Sequence, residues 1–232
     1  MQSMYVRMKN ITLVIPAKNE SESLPTVIEE INELSNDYKT KVILKDSDKK
    51  TIEAINKYNC EIIYQKGFGY GDALIEGINS TKTEYFCIFN ADGSFRPSEI
   101  NLMLQKMQSH NADFVFGSRY EKNAGSLDDT VITYVGNFFF TNLGKILFKL
   151  PLTDILYTFV IGKTTQFKKL NITQKDFTFC VEFPIKSKRS GMKIINYPCY
   201  ERKRIGGKKK VNAIKDGFLI LKHMIYLFFK ND

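Results

Sequence analysis

Five residues that follow an apolar run, Asn90-Ala91-Asp92-Gly93-Ser94, carry side chains able to hold a hard divalent cation. A carboxylate, an amide and a hydroxyl all offer oxygen, and a cation held by them can bridge a diphosphate. Gly93 lets the backbone turn sharply or come close to a ligand. Taken alone the pentapeptide is also a plain Asx turn at a strand end, so its neighbours decide the reading. Pro16-Ala17-Lys18-Asn19-Glu20 is a second polar exit from an apolar run. Lys66-Gly67-Phe68-Gly69-Tyr70-Gly71-Asp72-Ala73 is a third, and it opens a helical pattern. Its glycines can admit a nucleotide, and a helix start favours anions. The segment has neither P-loop nor dinucleotide-fingerprint spacing. Arg202, Lys203, Arg204, Lys208, Lys209 and Lys210 put six cations into nine residues around Gly206-Gly207. That is the composition of a lid closing over phosphates, or of a solvated basic loop.

The first half supplies elements to position these exits. Short apolar runs at 11–15, 42–44, 62–64, 85–89 and 114–116 read as strands. Helical patterns lie between them: one from an N-cap at Ser21 to about Leu34, then about 50–58, 71–80 and 98–108. That alternation predicts βαβ units: a mainly parallel sheet with helices on both faces, and ligands at the strands' carboxyl ends. Two later helices, 134–150 and 211–229, carry broad apolar faces. In the first, Asn137, Thr141, Lys145 and Lys149 recur every four residues as the polar stripe. In the second, Asn212, Lys215, Asp216, Lys222, His223 and Tyr226 form that stripe. Such helices pack on a core or lie in a membrane interface.

Composition narrows the partners. With 34 Lys and Arg against 25 Asp and Glu among 232 residues, the net charge of +9 points to an anionic partner. No helix-turn-helix, zinc-finger or aromatic RNA-binding pattern accompanies the basic run, so nucleic acid is not expected. Cys60, Cys87, Cys180 and Cys199 have no metal-ligand spacing and read as buried, reduced thiols. Residues 1–10 hold no apolar run, so no signal peptide is expected. No stretch is read as reaching the roughly 18–20 apolar residues that span a bilayer. The expectation is a cytoplasmic protein, peripheral on the cytoplasmic membrane face.

The order of the motifs resembles the family 2 glycosyltransferases of the A-type fold, in particular the polyprenyl-phosphate (dolichyl-phosphate) sugar synthases. Val14-Ile15-Pro16-Ala17-Lys18-Asn19-Glu20 is similar to the family's V-I-P-x-x-N-E start. Gly69-Tyr70-Gly71-Asp72-Ala73 is similar to G-x-G-x-A, and Asn90-Ala91-Asp92-Gly93-Ser94 to the D-A-D-x-S/Q metal motif. Gly117-Ser118-Arg119-Tyr120 matches G-S-R-Y. Leu152-Thr153-Asp154 with Thr158-Phe159, Phe179-Cys180-Val181-Glu182 and Arg204 to Lys210 resemble the later motifs. The likeness spans about residues 11–211. It implies one domain over 1–232: a nucleotide-sugar-binding half (1–120), an acceptor-side half (121–210) and a C-terminal amphipathic helix (211–232).

The resemblance also implies roles. Pro16, Ala17, Asn19, Glu20, Asp46, Gly69, Asp72, Asn90 and Ala91 would bind the donor. Asp92, Asn90 and Ser94 would hold Mg or Mn. Asp92, Arg204, Lys210, Arg119, Asp154 and Glu182 would carry the catalysis. The reaction would displace a nucleoside diphosphate from a sugar's anomeric carbon, with a lipid phosphate or a glycan hydroxyl as acceptor. A phosphate acceptor is already ionised, whereas a hydroxyl needs a base. Asp128, Asp129, Asp154 and Glu182 are the candidates for that base. A non-catalytic basic lipid- or nucleic-acid-binding module is the alternative of another class. The chain departs from the family pattern at Lys45, which stands where a carboxylate is usual, at Asn90, which is uncharged, and in lacking the Arg of T-S-G-F-R. Asn90 implies weaker metal binding, and Lys45 an altered donor preference.

Overall fold

β1 (Ile11–Pro16) has its apolar side chains buried on both faces, so it lies in the middle of a sheet covered on both sides. We describe a computed structural model, covering residues 10–35, 37–207, 210 and 212–230. On one side β1 pairs in parallel with β2 (Lys39–Leu44), which pairs with β3 (Glu61–Tyr64). On the other side it pairs in parallel with β4 (Tyr85–Ile88). The seven-stranded sheet runs β3-β2-β1-β4-β7-β5-β8, where β5 is Phe114–Ser118, β7 Val160–Lys163 and β8 Ile194–Pro198. β7 alone is antiparallel, to both β4 and β5. Strand order thus reverses direction at β1–β4, where crevices open at the strands' carboxyl ends.

Period-two alternation sends neighbouring residues to different cores. Val14, Phe86 and Ile88 join the core beneath α3 (Tyr70–Asn79), α5 (Val131–Phe148), α6 (Thr164–Lys169), α7 (Phe179–Arg189) and α8 (Ala213–Phe229). Leu13, Ile15 and Cys87 join the core beneath α1 (Leu24–Leu34), α2 (Lys49–Ile55) and α4 (Ser98–Ser109). A two-stranded ribbon pairs β6 (Gly125–Ser126) with β9 (Tyr200–Glu201). The expected α/β architecture with helices on both faces is present.

Several details correct the reading of the sequence. Ser21 does not cap α1: the cap position is Ser23, with Pro25 in the first turn and no side-chain capping bond. The Ser23 hydroxyl instead donates to Glu20 Oε2 at 2.8 Å. β7, α6, α7 and β8 lack a clean period; α7 holds Pro184 internally, and β8 is only half buried. α5 starts at Val131, where Thr130 and Thr133 form a capping box, and ends at Lys149 in the left-handed conformation. At 18 residues and mean hydropathy 1.2, α5 is long and apolar enough to cross a membrane by length and composition, against the expectation, with 28% of it buried.

The N-terminal half of the stripe on α5 is also turned round, while Lys145 and Lys149 stay exposed. Asn137 and Thr141 are buried, 2% and 5% exposed, whereas Val131, Ile132, Val135, Phe138 and Phe139 are exposed. The two polar side chains face inward because buried groups there need partners: Asn137 Nδ2 donates to Asp154, and Thr141 Oγ1 accepts from Ile155 N. On α8, which packs against α5, His223 is buried while Ile214, Phe218 and Phe229 are exposed. Together the two helices present an outward apolar surface.

Candidate functional site

The exits of β1 and β4 open side by side into a cavity of about 860 Å³. Pro16, Ala17, Lys18 and Glu20 line it from β1, and Asn90, Ala91 and Asp92 from β4. Gly69 and Tyr70 line it from the start of α3, and Arg119 from the end of β5. Asp128, Asp129, Arg204 and Lys210 also line it, and the first turns of α5 and α8 form an apolar rim with Val131, Ile132 and Ile214. Of the sequence-predicted residues, Pro16, Ala17, Glu20, Gly69, Asn90, Ala91, Asp92, Arg119, Arg204 and Lys210 come together here.

Asp92 is the centre of the charged wall. Its Oδ1 accepts from Ser94 N at 3.0 Å and Ser94 Oγ at 2.7 Å. Its Oδ2 lies 3.5 Å from Arg204 Nη1. Arg204 is gripped by Asp128 through Nε at 3.2 Å and Nη2 at 2.7 Å. The Asp128 hydrogen bond, with help from Asp92, raises the Arg204 pKa above the ordinary arginine value against the lowering effect of burial. Lys210 pairs with Glu20, and burial, with Lys18 nearby, lowers its pKa below the ordinary lysine value. Behind this wall the Arg119 guanidinium meets Asp154 at 2.7 Å and Glu201 at 3.2 Å. Burial pulls the Arg119 pKa down, yet the Asp154 charge carries it well above the usual value.

The segment 202–207 lies folded onto the β4 exit. Arg202 N donates to Ser94 O and Ile205 N to Asp92 O, each at 2.8 Å. Gly93 has φ +80°, and a Cβ there would sit 2.5 Å from the Ile205 side chain. The described part of the basic run therefore lies against the β4 exit. Lys208 and Lys209, two of its six cations, lie outside the described residues, as does Val211.

Other predicted residues sit elsewhere. Ser94 is 1% exposed and braces Asp92 from behind, so it is not on the cavity wall as a third oxygen ligand. Asp72 is buried and held by Gln65 Nε2 at 2.9 Å and Lys175 at 3.4 Å. Gly69 and Gly71 make room for protein rather than nucleotide. A Cβ on Gly69 (φ +105°) would meet Lys175 O at 2.1 Å, and one on Gly71 would meet Gln174 O at 2.3 Å. Glu182 is buried away from the cavity, accepting from Thr173 N and Gln174 N at 3.0 and 2.8 Å, which suits a structural acceptor rather than a base. Asp154 is fully covered and acts through Arg119. Asn19 turns the β1 exit at φ 54° and donates its N–H to Asp48. Asp46 is exposed beyond β2. Lys45 donates to the carbonyls of Gln65 and Lys66 and lies 3.9 Å above the Phe68 ring, so it ties the β2 exit to the next loop.

Two contributors escaped the sequence. The Tyr70 hydroxyl pairs with Thr158 Oγ1 at 2.7 Å and lies 3.5 Å from Asn90 Oδ1. Glu201 is brought under Arg119 by β9. Its only sequence signal was an acid directly preceding the six cations.

A divalent cation fits this wall. Among the described residues no three His, Cys, Asp or Glu converge as a cage. Asp92 and Asn90 nonetheless both reach the cavity, and a hard cation satisfied by one carboxylate, one amide oxygen, diphosphate oxygens and water needs no cage.

The sequence pattern of Glycosyl transferase family 2 matches residues 12–170. Uncharacterized glycosyltransferases of Mycobacterium bovis and Mycobacterium tuberculosis are 23% identical over 210 residues, covering 90% of this chain and 93% of theirs. A low-salt glycan biosynthesis hexosyltransferase of Haloferax volcanii is 22% identical over 228 residues, 94% of this chain and 55% of that relative. Among solved structures, glucosyl-3-phosphoglycerate synthase from Mycobacterium tuberculosis, with Mn2+, uridine diphosphate and product, superposes with TM-score 0.75 at 11% identity. The match covers 97% of this chain and 81% of that one. The segment carrying Glu182, Arg204 and Lys210 lies beyond the family match.

Proposed function

The chain belongs to glycosyl transferase family 2, and from that premise we propose that it moves a sugar from a nucleotide-sugar donor to the phosphate of a membrane-bound polyprenyl lipid. The observation that carries the reading is one cavity with a charged floor at the β1 and β4 exits and an apolar rim from α5 and α8. The donor diphosphate lies across Ala17 and Asp92. Asp92 and Asn90 would hold a divalent cation, which would supply stabilisation of the charge on the diphosphate. The bond from the anomeric carbon to the diphosphate oxygen breaks, and the acceptor oxyanion forms the new one. Arg204 and Lys210 face the charge left on the leaving group, where positioned cations stabilise it. An acceptor phosphate is ionised and needs no base.

A nucleotide-sugar panel with and without Mn2+ tests the donor, read as thermal stabilisation and then as transfer to polyprenyl phosphate. Stabilisation by one donor in metal, with transfer to the lipid phosphate, is expected. No response to any donor, or transfer to soluble glycan hydroxyls alone, overturns the reading. In the same assay Arg204→Ala should lose about ten- to a hundredfold in kcat/KM, as for one charge-assisted contact of roughly 1.5–3 kcal/mol. Arg204 can hold phosphate with two parallel hydrogen bonds, so Lys210→Ala should rank second and Lys208→Ala last. If Lys208→Ala is worst, the loop has no such role.

The exposed apolar surface of α5 and α8, beside a chain of net charge +9, supports peripheral association with the cytoplasmic membrane face in this reading. It should sediment with anionic vesicles and release as salt rises, since screening shortens to about 3 Å at 1 M. Indifference to vesicles and solubility without detergent would remove the membrane from the proposal.

A further inference from the structure

Arg204 is held by two carboxylates with unequal grips. Asp128 engages both Nε and Nη2, at 3.2 and 2.7 Å, while Asp92 meets only Nη1, at 3.5 Å. On Asp92, Oδ1 is already taken by the Ser94 N–H and hydroxyl. Oδ2 is therefore the oxygen left for a divalent cation, and it is the one Arg204 faces. Two cations at one carboxylate oxygen would confront each other across a few ångströms. The loop cannot simply carry Arg204 away while Ile205 N stays bonded to Asp92 O at 2.8 Å and the Ile205 side chain covers Gly93.

We propose that Arg204 and the divalent cation occupy Asp92 by exchange, and that Asp128 is the positioning residue that makes the exchange possible. When the cation takes Oδ2, Nη1 gives up Asp92 while Nε and Nη2 stay on Asp128. The guanidinium then remains at the cavity wall with Nη1 turned to the leaving diphosphate. This rests on the reading of Asp92 as the cation's carboxylate, and it adds a role for Asp128 other than base.

The test is titration with Mn2+ alone, followed by calorimetry and by the electron paramagnetic resonance of free Mn2+, with circular dichroism confirming each fold. Arg204→Ala should bind Mn2+ roughly tenfold tighter than the unaltered protein, because a competing like charge a few ångströms away is gone. Arg204→Lys should stay near the unaltered affinity. Asp128→Asn should weaken binding severalfold, since the released guanidinium falls back on Asp92, but should have little effect when Arg204 is already alanine. A cycle in which Asp128→Asn weakens binding equally in both backgrounds, or Arg204→Ala fails to tighten it, overturns the exchange. Asp92→Ala separates the two readings. If binding depends on Asp92 but not on Arg204, only the exchange fails. If no variant binds Mn2+, the cation reading fails with it.

Discussion

Asp92→Ala is expected to abolish sugar transfer, lowering kcat by about a hundred- to a thousandfold or more, while the protein stays folded. The size follows from losing the only carboxylate of the proposed cation site: a preorganised electrostatic contact to developing charge is worth roughly that much. The fold should survive because the side chain lies at the cavity wall, its bonds to Ser94 close one tight turn, and Arg204 keeps both bonds to Asp128 when its weaker contact with Asp92 is lost. Transfer rates, a melting curve and Mn2+ binding on the same preparation check this. Near-normal turnover would remove Asp92 from the chemistry. Asn90→Asp should remain active and bind Mn2+ at least as well, because it adds charge at the neighbouring cavity position.

Asp154→Ala should unfold the protein more readily, costing about 3–5 kcal/mol, or roughly 6–20 °C in Tm for a domain of this size. Asp154 has no exposed side-chain surface and the Arg119 side chain is 11% exposed. The carboxylate accepts Arg119 Nε at 2.7 Å, Nη2 at 3.1 Å, the Arg119 backbone N–H at 3.1 Å and Asn137 Nδ2 at 2.5 Å. Truncation strands a buried guanidinium with Glu201 as its remaining carboxylate and leaves the Asn137 amide short of a partner. Removing one partner of a buried pair is far costlier than replacing both. Asp154→Asn, which keeps the shape and part of the bonding, should cost less. Urea unfolding gives the measurement; a loss under about 1 kcal/mol would mean that water or rearrangement satisfies Arg119.

Much of the first half was legible because its signals are local. A β-branched run such as 11–15 becomes a strand in most settings, and a Pro, Gly or Asx just beyond it marks where the strand stops. Carboxyl-end exits of neighbouring parallel strands must open on the same edge, so Ala17 and Asp92 were bound to meet once the βαβ pattern was recognised. The donor glycines were a different matter. Gly69 and Gly71 look identical whether they admit a nucleotide or a neighbouring backbone, and only the fold brings the segment 174–176 against them.

The sequence by itself determined the strand and helix rhythm, the polar exits and the +9 charge, because side-chain period and turn chemistry act over a few residues. The tertiary structure decided which charges are partners. It set Arg204 between Asp128 and Asp92, put Asp154 and Glu201 on Arg119, and made Ser94 a brace. It also turned Asn137 and Thr141 of the α5 stripe inward and left Val131, Ile132, Val135, Phe138 and Phe139 outward. Amphipathic spacing says that a helix has two faces, but not which one meets the protein. That depends on whether buried polar groups find hydrogen bonds, and here Asn137 and Thr141 find them on the 154–156 segment, more than ten residues away along the chain.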